Sequence, residues 1–161
     1  MELKTLSLYG CNKPAAFLNS FAELPAVWEL FGIALQRPVI VIIGGAGGMS
    51  DEDIEKTQTF FEQHLIPFIR EQKAIVIEGG TDSGVMRAMG RAYHNTGTDF
   101  PLVSVAVRDI EQLQASLEAN HTHFILFPGN DRGDESEWIA ATASTLAGSA
   151  PSASLLITGG Q

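Results

Sequence analysis

Cysteine, positive charge and long apolar runs are all scarce in this sequence. Cys11 is the only cysteine among 161 residues, which excludes an internal disulfide framework and any cysteine-based zinc site. Ten Lys and Arg stand against 19 Asp and Glu, a formal net charge of −9. No window gathers lysines and arginines, whereas a nucleic-acid binder needs a basic face to displace counterions. Neither nucleic acid nor an anionic membrane surface is therefore an expected partner. Apolar runs such as Pro38–Ile43 fall far short of the ~20 residues of a membrane-spanning helix. Met1–Lys4 carries Glu2 and lacks the charged-then-apolar layout of an export signal, so a cytoplasmic location is expected. Charged residues make up only 18% against 45% hydrophobic, a globular composition and not a disordered one. The length suits one domain.

What is present is a repeated unit of apolar run, glycine and helical stretch. Val39–Ile43 ends in Gly44-Gly45-Ala46-Gly47-Gly48, and Ala74–Ile77 ends in Glu78-Gly79-Gly80. Leu102–Val107, Phe124–Phe127 (followed by Pro128-Gly129) and Ser154–Ile157 (followed by Thr158-Gly159-Gly160) complete five expected strands. Between them, Asp51–Lys73, Asp82–Asn95, Ile110–Ala119 and Glu135–Ala147 read as helices. Pro67 should kink or end the first of these near Ile66. Short Val- and Ile-rich strands alternating with helices predict an α/β, Rossmann-like three-layer sandwich around a mainly parallel sheet of at least five strands.

The first 37 residues read less clearly. Leu3–Leu8 suits a strand, and Pro14–Phe31 suits one or two helices broken at Pro25. The expectation is an extension, residues 1–37, packing on a domain of residues 38–161 as an extra layer or dimer arm. The chain stops at Gln161 directly after a strand and Gly159-Gly160. That suggests a domain short of its last helix, with a homodimer covering the exposed face.

Four of the five expected strands end in glycine. In a parallel sheet those ends share one edge, where ligands of open α/β sheets bind. Glycine admits a close backbone approach, and the helices that follow aim N–H groups and a positive dipole at the same place. An acidic chain can hold a phosphate in this way. The standard phosphate loops are absent: residues 44–51 contain no lysine, which excludes a P-loop, and Ser50 replaces the third glycine of GxGxxG. Glu78 stands where a dinucleotide fold places its ribose-binding acid. Asp82 and Ser83 open a helix and suit either phosphate contacts or an N-cap. His121 and His123 lie two apart, without a third ligand at metal spacing; they read as structural or ligand-edge residues, and no metal is expected.

Three segments together resemble a known superfamily: Ile42–Ser50 (IIGGAGGMS), Glu78–Met86 (EGGTDSGVM) and His121–Leu126 (HTHFIL). They are similar to the SLOG superfamily, and more narrowly to its LSDAT group, prokaryotic relatives of the N-terminal domain of melastatin-type TRP channels. The resemblance spans about Arg37–Gly160 and implies a Rossmann-like nucleotide-binding domain. Relatives include sensors of NAD-derived or ADP-ribose-like nucleotides and the LOG phosphoribohydrolases. Gly79–Met86 is similar to the LOG motif GGGxxGLM, and Pro128–Glu137 more loosely to PGGxGTxxE. The resemblance implies ligand contacts from Gly44, Gly45, Ala46, Gly47, Gly48, Gly79, Gly80, Thr81, Asp82, Ser83, Gly84, Pro128, Gly129, Asn130 and Gly133. Arg108 and Arg132 are candidates to hold phosphate, and Glu137 is the candidate acid/base. The sequence departs from the enzymes in having no Arg just before Phe124.

The leading expectation is accordingly a nucleotide-binding or sensing domain for an adenine-ribose phosphate (ADP-ribose, an NAD derivative or AMP), with no further cofactor required. A hydrolase of nucleoside 5′-monophosphates is the alternative. A structural dimer module whose glycines merely turn the chain is the third possibility.

Overall fold

The computed structural model describes residues 1–45, 47–109, 116–131 and 133–158. The chain opens on an antiparallel hairpin of β1 (Glu2–Leu8) and β2 (Cys11–Phe17), joined by Tyr9-Gly10. Both turn residues have positive φ, 47° and 80°, as a two-residue turn matching the sheet twist requires. A 3-10 turn at Phe21–Glu23 leads into α1 (Leu24–Phe31). The stretch from Pro14 expected to be helical thus opens as strand through Phe17 and becomes α-helical only from Leu24. Pro14 is tolerated there because β2 joins the neighbouring parallel strand only from Ala15 onward. Pro25 does not break α1 but sits in its first turn, where its missing N–H costs nothing.

The rest alternates as the sequence predicts: β3 (Val39–Gly44), α2 (Asp51–Phe60), α3 (Ile66–Gln72), β4 (Ile75–Gly79), α4 (Gly84–Thr96), β5 (Leu102–Val107), β6 (His123–Phe127), α5 (Glu135–Ala147) and β7 (Ser152–Ile157). The α-helix expected over Asp51–Lys73 is interrupted just before Pro67, as the proline predicts, by a change of helix type and not by a break in the chain's course. A π turn at Phe61–Leu65 links α2 to α3, with the Ile66 N–H reaching Phe61 O, and Pro67 enters at the start of α3. The helix expected over 110–119 lies outside the described residues at 110–115. Its remainder is not helical: Leu117 bridges antiparallel to Thr81, and Ala119 enters a turn.

The seven strands form one sheet in the order β1-β2-β6-β5-β4-β3-β7, parallel except for the first pair. Alternation along the central strands feeds two main cores, with a smaller cluster of Ala15, Ala106, Phe124 and Leu126 towards β2. Val39, Val41, Ile75 and Ile77 pack with Trp28 of α1 and Leu146 of α5 on one face. Ile40, Ile42 and Val76 pack with Ile54, Phe61, Val85 and Met89 of α2, the π turn and α4 on the other. A sheet buried on both faces explains the unbroken Val/Ile runs. β3 to β6 step across the sheet in one direction, and α5 carries the chain back beyond β3 to β7. The strand order therefore reverses between β3 and β7, and Gly44 and Gly45 leave β3 at that switch point, the usual ligand crevice of an open α/β sheet. No helix among the described residues is long and apolar enough to cross a membrane.

Candidate functional site

The strand-end glycines divide into two kinds. Gly44 and Gly80 are packing glycines: a Cβ on Gly44 would lie 2.2 Å from Val85 Cγ2, and one on Gly80 2.2 Å from Ser104 Oγ. Gly79 has only ordinary contact, with Met86. Gly45 and Gly47 are different. Both are exposed; a Cβ on Gly47 would meet nothing within 4 Å, and one on Gly45 only Gly47 O at 3.4 Å. Gly48 is exposed as well, and Ala46 lies outside the described residues. This loop is tied to α4, since Gly45 O accepts the Val85 N–H at 3.4 Å.

Three helices begin at this edge, and they differ in what their first turns already hold. At α2, Ser50 Oγ accepts the Asp53 N–H at 3.1 Å, and Asp51, Glu52 and Asp53 fill the first turn with carboxylates. A further anion is repelled there. At α4, no acidic residue occupies the first turn, and Ser83 does not cap the helix with its side chain. Its hydroxyl turns instead to Thr81 Oγ1, at 3.2 Å. Among the described residues, the N–H groups of Gly84 and Met86 have no acceptor. Asp82 is drawn aside: its Oδ1 accepts from Arg87 Nε at 2.9 Å, and its N–H donates to Ser116 O.

The loop before α5 spends its amides on itself. Asp134 Oδ2 accepts the N–H groups of Asn130 and Asp131 at 3.0 and 3.1 Å, and Glu135 Oε2 accepts that of Gly133 at 2.8 Å. Gly129 is needed for closeness, since a Cβ would come 3.0 Å from Asp134 Oδ2 and 3.1 Å from Val107. Glu137 is exposed and lines a pocket of about 310 Å³ with Pro128, Gly133, Asp134 and Trp138. Arg132 lies outside the described residues. Arg108 follows β5 at the same edge, and its guanidinium donates to Leu18 O and, at 3.1 Å, to Asn19 Oδ1. It clamps the loop after β2.

A second polar assembly lies beneath α4. His121 Nδ1 is 2.8 Å from Glu118 Oε2, and its Nε2 is 2.9 Å from Glu78 Oε1. Glu78 and His121 are fully buried and Glu118 is 4% exposed. The Nε2–Oε1 approach has the distance of an ion pair but not the alignment of a hydrogen bond. Burial pushes the Glu78 carboxyl up to about 7, against the pull of His121. Burial opposes charge on His121 too, but its two carboxylate neighbours win and raise it to about 9. Glu118 is likewise opposed by burial yet ends below the usual carboxylate range, held by His121 and Asn120. Glu78 thus does not stand free for a ribose. Gly90 makes room for the assembly, since its Cβ would fall 2.1–2.3 Å from the Glu118 carboxyl atoms. The sequence signals were a Glu closing an apolar strand and a Gly inside a helix. His123 is separate, with Nδ1 2.8 Å from Thr122 Oγ1 and its ring 4.8 Å from that of Phe31. No group of three or more His, Cys, Asp or Glu among the described residues is arranged to hold a metal.

The profile of the LSDAT family described as SLOG in TRPM, prokaryote, matches residues 37–161. The chain belongs to this family. The resemblance carried by the three segments beginning at Ile42, Glu78 and His121 is thereby established. The match begins just before β3, so the β1–β2 hairpin and α1 lie outside it. No curated protein matches the chain.

Proposed function

We propose that the chain is a nucleotide-binding or nucleotide-sensing domain. Its ligand is an adenine-ribose phosphate such as ADP-ribose, an NAD derivative or AMP. The phosphate sits between residues 44–48 and the start of α4. The observation that carries this reading is the contrast among the three helix starts: α2 caps its Asp53 amide with the Ser50 hydroxyl and crowds three carboxylates into its first turn, the loop before α5 satisfies its amides with its own carboxylates, whereas α4 begins with neither a side-chain cap nor an acidic residue. Amides without an acceptor among the described residues, beside an exposed glycine loop at a topological switch point, favour an anion there. Thermal unfolding with ADP-ribose, NAD and AMP at millimolar concentration tests it. A ligand at 100 times its Kd adds about 2.7 kcal/mol of stability. If none of the three moves Tm, the reading is lost.

A second reading, an N-glycosidic hydrolase of nucleoside 5′-monophosphates, is favoured by one observation: Glu137 lines its pocket as an exposed carboxylate beside Pro128 and Trp138. Release of free base from AMP, stopped by Glu137→Gln, would establish it. Binding of AMP without base release leaves the first reading in place.

A further inference from the structure

Along one flank of α4 lies a groove of about 610 Å³ that the nucleotide cradle meets only at Asp82. It is lined by Tyr9, Arg87, Arg91, His94 and Asn95, with Glu118 and Asn120 on the opposite wall. Arg87, Arg91, His94 and Asn95 recur at helical spacing and form one stripe of α4. Three of the charges in the groove are already answered. Asp82 pairs with Arg87 at 2.9 Å, and Glu118 pairs with buried His121 at 2.8 Å. Arg91 and His94 are exposed, and neither makes an ion pair among the described residues. In a chain of net charge −9 with ten Lys and Arg in all, the Arg91 guanidinium is the one charge of this groove without a counter-charge among the described residues; beside it stands the His94 imidazole, and Asn95 Nδ2 donates to Glu62 Oε1 at 3.0 Å.

The hairpin tip supplies the second observation. The turn between β1 and β2 demands positive φ at both central positions, a demand that Asn-Gly meets best. Here Tyr9 holds the first position at φ 47° with 83% of its surface exposed. A bulky residue in that region is strained, and strain of this kind persists where another requirement holds it. Tyr9 offers the turn nothing that Asn would not, but it brings an aromatic ring to the mouth of the Arg91–His94 groove. We propose that this groove is a second binding site, for a small molecule that joins a flat ring to a phosphomonoester. Tyr9 stacks on the ring, and Arg91 with His94 holds the phosphate. A guanidinium takes phosphate oxygens in a two-pronged geometry that fixes orientation as well as charge.

Phenyl phosphate, titrated into the whole chain and followed by amide ¹H–¹⁵N NMR, tests the site. The expected result is saturable shifts at Tyr9, Arg91, His94 and Asn95, with phenol and inorganic phosphate each binding at least about tenfold more weakly, since each lacks one half of the contact. Arg91→Gln and Tyr9→Asn should each weaken phenyl phosphate at least about fivefold. Tyr9→Asn should at the same time raise Tm, because Asn suits the turn, which separates loss of the ring from loss of the fold. No saturation by 10 mM phenyl phosphate, a limit on the order of a millimolar-class Kd, overturns the proposal. So do shifts confined to residues 44–48 and 79–84, or affinity untouched by both substitutions. The nucleotide reading of the cradle stands or falls separately, on the shifts at those residues.

Discussion

His121 Nε2 stands 2.9 Å from Glu78 Oε1, and neither side chain reaches solvent. The acting charges are these two and Glu118. Because burial raises the Glu78 carboxyl to about 7, the folded state holds a proton there that the unfolded chain releases near 4.5. A raised pKa contributes stability that is complete below the unfolded value and is lost as pH rises through the folded one. The same sign applies to His121, raised to about 9 from 6.5: its contribution is lost between those values. Glu118 has the opposite sign, being lowered, and its contribution is lost only as the solution turns acid below 4.5. Rising pH from 5 to 9 should therefore weaken the fold. Glu78→Gln isolates the lower half of this window. Its urea-denaturation stability, subtracted from that of the unsubstituted chain, should change by on the order of 1–3 kcal/mol between pH 5 and 8. A difference that stays flat, or moves the other way, refutes the assignment.

Gly90 is inside a helix, where Ala is normally better by about 1 kcal/mol. Here the added methyl would fall 2.1–2.3 Å from the Glu118 carboxyl. That carboxyl cannot swing away without abandoning His121, its partner at 2.8 Å. Breaking one partner out of a buried pair costs about 3–5 kcal/mol, more than the propensity gain. Gly90→Ala should lower stability by about 2–4 kcal/mol, measurable by chemical denaturation. An increase would mean that the Glu118–His121 contact is expendable.

The parts of the fold that were legible in the sequence are those whose cause is local. Leu102–Val107 reads as a strand buried on both faces and Val39–Ile42 likewise, so β3 to β7 and the helices α2 to α5 follow from composition and length. β2 was not legible: Cys11-Asn12-Lys13-Pro14 has no strand pattern, because its first half pairs only with β1. Pro67 marks the boundary near Ile66 but not its form: a π turn carries the chain from one α-helix into the next, and Pro67 stands in the first turn of the second. At the site, glycine runs marked the right edge but not which of them stay open. That depends on Asp134 and Glu135 folding back onto their own loop. The Glu78–His121 contact joins residues 43 apart in sequence, and no spacing rule connects them.

The two kinds of glycine predict two kinds of variant. Gly44→Ala drives a methyl to 2.2 Å from Val85 Cγ2, between β3 and α4, and should cost about 1–3 kcal/mol of stability as an overpacked core does. Gly47→Ala meets open space and should change stability by less than about 1 kcal/mol. If a phosphate approaches this loop, Gly47→Ala should nonetheless weaken nucleotide binding about tenfold, as read by calorimetric titration at 25 °C. Equal nucleotide affinity in Gly47→Ala would leave the glycines of this loop with only a turning role.

Arg108 offers the sharpest separation of a structural from a ligand-binding role. Its guanidinium is committed to Leu18 O and Asn19 Oδ1, holding the loop after β2 against the end of β5. That loop leads to Phe21, whose ring lies 4.4 Å from Trp138 of α5, so the clamp also steadies the pocket beside Glu137. Arg108→Ala removes charge-assisted hydrogen bonds at a partly exposed position, a loss of about 1–2 kcal/mol. For a chain of this size that is a fall in Tm of roughly 2–8 °C. Nucleotide affinity, measured on the same protein below its transition, should stay within about twofold of the unsubstituted value, since a twofold change is under 0.5 kcal/mol. A tenfold loss with Tm unchanged would reverse the assignment and place a phosphate on Arg108.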